Sequence, residues 1–169
     1  DVTKANKMTA PYIRMEKQVE NYNEAVKHYK LTDLEAGVDL TYEGFSGTAD
    51  IVAKVDGRIS IIDLKTTGLF SDKWSEFGWD TESITNEFKP KERILTQAIH
   101  YLWITQKKYK TKEVDFYFWI FSTTNAHDFK IIKVNFSDEV FETHEKNLHL
   151  TKDLLTNAYP NLSAYPDLK

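Results

Sequence analysis

The sequence predicts an α/β domain in which a mixed central β-sheet is flanked by helices. Three observations carry that expectation. Residues 12 to 29 place Tyr12, Met15, Val19, Tyr22, Val26 and Tyr29 at alternating spacings of three and four, which is one face of an amphipathic helix. The stretches 45–55 and 58–65 are apolar on both faces, the pattern of central strands covered by helices on either side. Between them stands Asp56-Gly57, a pair suited to the tight hairpin turn that needs positive φ at both central positions. With 41% hydrophobic and 14% aromatic residues, a chain of 169 can bury the core such a domain requires.

The elements follow in order. The helix at 12–29 turns its stripe to the core. Strands are expected at 37–43, 45–55 and 58–65, rich in Val, Ile and aromatic residues. From 70 to 90 no period holds, and Trp74, Phe77 and Trp79 lie among polar residues, as in a packed loop more often than in a substrate lid. A helix spans about 91 to 109. Two more strands, 113–121 and 127–135, are joined by the turn-forming STTNA. Ser137 opens a capping pattern, with Val140 at the third helical position instead of an acid, and a last helix runs to about 157 before the tail YPNLSAYP. FYFWIF, 116–121, reads as buried strand and not as a base-stacking surface. Residues 1–169 read as one domain without repeats. The chain opens at Asp1 with no initiator Met, as a segment of a longer protein would.

Composition excludes several chemistries. No cysteine is present, so disulfides, thiol nucleophiles, thiolate zinc sites and iron-sulfur clusters are ruled out, and a reducing cytoplasm suits the chain. No run reaches the roughly 20 apolar residues of a membrane span, and the N-terminus has no signal-peptide pattern. A formal net charge of -4 argues against broad electrostatic attachment to nucleic acid. Two local basic clusters, QKKYKTK at 106–112 and Lys89, Lys91 and Arg93, are read as solvated surface in the first case and as evenly balanced in the second. His28, His100, His127, His144 and His149 have no metal-ligand spacing; His144 and His149, five apart, should diverge on a helix. Structural roles are expected for all five. No phosphate-binding loop or nucleophile elbow occurs.

IIDLKTTG, 61–68, ends an apolar strand with an acid and a base two residues apart. Counting back along the hairpin from Val55 opposite Arg58 sets Asp50 directly across from Asp63. Facing residues share a side of the sheet, as do residues two apart, so Asp50, Asp63 and Lys65 should gather on one face at one end. Ile51, Ala53, Val55, Ile62 and Leu64 should line one side, and Val52, Ile59 and Ile61 the other. Two opposed carboxylates repel, and near a core they need a counter-charge or a raised pKa. A divalent cation, Mg²⁺ or Mn²⁺, would resolve this. So would a rim salt bridge between Lys65 and Asp63, with Asp50 facing water.

GTADIVAKVDGRISIIDLKTTG, 47–68, resembles the core of the PD-(D/E)XK nuclease superfamily, in which an acid on one strand precedes an acid-x-Lys triplet on the next. The match falls on Asp50, Asp63 and Lys65. In QAIHY, Gln97 and Tyr101 stand four apart on one helix face. They are similar to the QxxxY motif of the RecB-like and phage-type exonuclease branch. The resemblance covers 37 to about 121. It implies a restriction-endonuclease-like core and Mg²⁺- or Mn²⁺-dependent hydrolysis of DNA, in recombination, repair or phage-type processing. Asp50, Asp63 and the Leu64 carbonyl would hold metal, Lys65 would orient or activate water, and Gln97 and Tyr101 would touch the phosphate backbone. An endonuclease of the same fold, or a silent module that binds DNA or a partner protein, are the alternatives. Relatives usually carry a further acid on a helix before the first strand. Glu16 is the best placed of Glu16, Glu20 and Glu24, although a solvated glutamate is the favoured reading, and the missing acid could lie upstream of Asp1.

Overall fold

The computed structural model describes residues 10–68, 83–85, 92–124 and 128–158. In chain order these form α1 (Ala10–His28), β1 (Thr32–Tyr42), β2 (Phe45–Val55), β3 (Arg58–Thr67), β4 (Ser83–Thr85), α2 (Glu92–Tyr109), β5 (Val114–Ser122), β6 (Phe129–Asn135) and α3 (Asp138–Ala158). The strands make one mixed sheet in the order β1-β2-β3-β5-β6-β4. The fold is α/β, as the sequence predicts.

Local chemistry accounts for the topology. Asp56 and Gly57 take φ of 49° and 82°, and Glu43 and Gly44 take 50° and 86°, so two tight turns fold β1, β2 and β3 into an antiparallel meander. β3 and β5 run parallel, which requires a crossover, and α2 lies in it. β5 is buried along nearly its whole length, as a central strand covered on both faces should be. β6 returns antiparallel to β5, and β4 adds a short parallel edge to β6.

Two apolar layers enclose the sheet. On one side Leu95, Ala98, Leu102 and Trp103 of α2 pack on Leu40, Ala49, Val52, Ile61, Phe116 and Phe118, with Phe141 and Leu148 of α3 at the margin. On the other, Ala25 with Tyr22 and Val26 of α1 covers Ile51, Ala53, Val55, Ile62, Tyr117 and Trp119. The predicted division of the two hairpin faces holds except at Leu64, which is exposed.

Other differences have identifiable causes. β1 begins at Thr32, ahead of the expected 37, because pairing with β2 holds a stretch whose own residues are mostly exposed. Met15 and Val19 are not core: they are 58% and 55% exposed. Tyr29 lies near Tyr117, Tyr22 near Trp119, and Gln18 bonds the Ser122 carbonyl, so α1 runs antiparallel to β5. Ser122 ends β5, so Met15, ahead of Gln18, extends past it, whereas nothing in the structure explains the exposure of Val19. Trp74, Phe77, Trp79, Lys89, Lys91, the side chain of Arg93, residues 125–127 of the STTNA-to-β6 connection and Tyr12's side chain lie outside what is described.

Candidate active site

β3 delivers the first two groups. Asp63 follows Ile61 on the α2 side of the sheet, where its side chain is only 4% exposed, and Lys65 comes two residues later on the same side. The Lys65 Nζ lies 2.6 Å from Asp63 Oδ2. The ammonium therefore pairs with the buried carboxylate, and among the described residues it is the one positive charge set against it. Burial pushes the Asp63 carboxyl above its ordinary range. Lys65 opposes that shift, and the charge of Asp50 adds to it.

Asp50 arrives by an irregular route. The β2–β3 ladder runs from Val55↔Arg58 to Ile51↔Ile62 and stops one step short of an Asp50–Asp63 pair. Instead the Asp50 carboxylate accepts the Leu64 N–H at 2.8 Å. At the same level the β1–β2 ladder skips the Gly37–Asp50 step, and Gly37 has φ of +62°. Alternation breaks there: Ala49 and Val52, three apart, both face α2, while Ile51 faces α1. The kink lets Asp50 replace a ladder acceptor with its side chain. The two aspartates come together at this end of the sheet, although not as a ladder pair. A residue's N–H and C=O leave a strand on the same edge, so the Leu64 carbonyl is directed toward the Asp50 side.

α2 closes the site. Gln97 Oε1 accepts from Lys65 Nζ at 3.4 Å, and Gln97 Nε2 donates to the Tyr101 hydroxyl at 3.1 Å. The four-residue spacing puts both side chains on the helix face that looks onto β3 and β2. The Phe118 ring lies beneath the lysine, 5.9 Å from Nζ. All five side chains expected at the site are therefore gathered, with Gln97 and Tyr101 linked to Lys65.

Glu16 is exposed, and among the described residues no group of three or more His, Asp or Glu side chains is arranged to hold a metal. Two carboxylates and one carbonyl are still a fitting half-shell for Mg²⁺ or Mn²⁺, which commonly takes one or two protein carboxylates and completes its shell with water and substrate oxygens. The buried Asp63 carboxyl, held above its ordinary range despite Lys65 and with the Asp50 charge beside it, is the specific observation in favour.

The basic run at 106–112 belongs elsewhere: Lys107 pairs with Glu145, and Lys108 donates to the Asp39 carbonyl. The histidines on α2 and α3 meet one ring. His144 and His149 both lie against Trp103, each with ring centroids 6.4 Å from it, and His100 stacks on the same ring. They form part of an aromatic contact between α2, α3 and the β1–β2 hairpin.

No family model matches the chain, and no curated protein does. Among solved structures, the crystal structure of SSO0001 is similar to 87% of this chain and 63% of its own length, with 12% identity and a TM-score of 0.39. The chain thus spans less than two thirds of that protein.

Proposed function

We propose that the chain is a metal-dependent deoxyribonuclease with a restriction-endonuclease-like core, acting as an exonuclease. The observation that carries this reading is the pairing of two aspartates with one lysine: Asp63 is buried beside Lys65 and within the field of Asp50, and its proton is held above the ordinary range despite the lysine. A structural ion pair has no need of the second aspartate.

Asp50, Asp63 and the Leu64 carbonyl would hold Mg²⁺ or Mn²⁺. When bound, such an ion acidifies a water and offsets charge on a scissile phosphate. Lys65 keeps an ammonium at the same spot, where it can donate to the attacking water or to a phosphoryl oxygen as charge develops. Gln97 fixes the direction of that ammonium. The Tyr101 hydroxyl accepts from Gln97, which leaves its own proton for a phosphate oxygen. Contacts of this kind grip the backbone of DNA without reading bases.

Digestion of linear and circular duplexes with Mg²⁺ tests the proposal. Loss of linear DNA alone identifies an exonuclease, and nicked or linearised circles identify an endonuclease. Lys65→Ala should lower the rate by roughly 10²–10³, the order lost with one preorganised donor; activity that survives it contradicts the assignment. A second reading is a non-catalytic DNA-binding module, favoured by the absence of a third acidic ligand among the described residues. Duplex binding without cleavage in Mg²⁺ or Mn²⁺ would support it.

A further inference from the structure

We propose that Gly47 is a positioning residue for Lys65: it clears the space in which the Tyr101 ring lies against β2, and so fixes the Gln97 amide that holds the lysine. The inference rests on the nuclease reading for its catalytic meaning, but its geometry stands apart from it. Gly47 sits inside β2, opposite Leu40, with φ outside the left-handed region. Glycine within a strand forfeits both packing and chain entropy, so its presence there calls for a close approach. The approaching group is Tyr101. A Cβ at position 47 would overlap Tyr101 Cε1 and come within 3.1 Å of Cδ1 and 3.3 Å of Cζ.

The consequence passes along hydrogen bonds. Tyr101 Oη accepts from Gln97 Nε2, which turns Gln97 Oε1 toward Lys65 Nζ. A displaced ring takes the acceptor away from Nε2, the amide loses its reason to face that way, and the ammonium is held only by Asp63. Lys65 has four rotatable bonds and lies partly open to water, so it would sample many positions. Backbone strain plays no part, because alanine fits the local φ. The effect of Gly47→Ala should therefore depend wholly on the tyrosine ring.

The test is a double-mutant cycle over Gly47→Ala, Tyr101→Ala and their combination, with Tyr101→Phe as the variant that keeps the ring and removes only the hydroxyl. Two readouts are taken: kcat on a linear duplex, and ¹³C relaxation at the Lys65 Cε in the metal-free protein. Gly47→Ala should lower kcat about tenfold with little change in KM, and should loosen Lys65 to the mobility of surface lysines. Tyr101→Phe should loosen it likewise. In the Tyr101→Ala background, adding Gly47→Ala should change neither quantity. Equal effects of Gly47→Ala in both backgrounds, or an unmoved Lys65 in Gly47→Ala and Tyr101→Phe, overturn the proposal. If wild type cleaves no DNA, the nuclease reading fails, while the relaxation data still decide the positioning role.

Discussion

Asp63 concentrates the conflict that defines this protein. Its carboxylate is buried, close to a second aspartate and only imperfectly compensated by Lys65. Because its proton is held above the 3.8 usual for aspartate, the folded chain binds more protons than the unfolded one just above that pH. Stability of the metal-free protein should thus fall as pH rises through the window between 3.8 and the raised value. Asp63→Asn keeps the shape and removes the charge. In urea unfolding at pH 7 with chelator it should raise stability by about 1 kcal/mol, and it should lose the further gain that Mn²⁺ is expected to give wild type. A less stable variant would mean that Lys65 already compensates the charge. The sequence made both aspartates legible through simple strand arithmetic. It did not reveal the Gly37–Asp50 kink, because alternation is assumed unbroken until a partner strand shows where it breaks.

At the scale of elements, α3 is held lightly. It has no fully buried residue, exposes Leu150, Leu154 and Leu155, and meets α2 through Phe141, Leu148, the Lys107–Glu145 pair and the rings around Trp103. Within that contact the His144 imidazole is pushed down to about 4, chiefly by burial and then by His100, with Glu145 opposing. Burial lowers the His100 value as well. The unfolded chain takes up a proton near pH 6.5 that the folded chain refuses until about 4, so stability is lost as pH falls through that window, by at most roughly 1.4 kcal/mol per pH unit for His144. His144→Gln, which does not titrate, should flatten the acid side of a plot of thermal midpoint against pH. An unchanged slope would assign acid sensitivity to other groups. Sequence spacing placed His144 and His149 apart. Each nevertheless meets Trp103, a contact that only tertiary packing could reveal.

Across the whole molecule, what could be read was what local chemistry dictates. The Asp56-Gly57 turn set the β2–β3 register, and apolar runs marked β3 and β5 as covered strands. β4 escaped notice because three residues carry no period, and the early half of β1 because its partner, not its own pattern, makes it a strand. The meeting of Gln97 with Lys65 depends on the α2 crossover, and Gly47 had no sequence signal beyond a glycine inside a strand. As a nuclease, the protein would need the sheet to bring Asp50, Asp63 and the Leu64 carbonyl around one divalent ion. Anomalous diffraction from Mn²⁺-soaked crystals tests that most directly. A peak bounded by these three groups, absent in Asp63→Asn crystals, is the predicted result. Saturating Mn²⁺ that leaves the three groups without a peak, or a peak that persists in the variant, would contradict it.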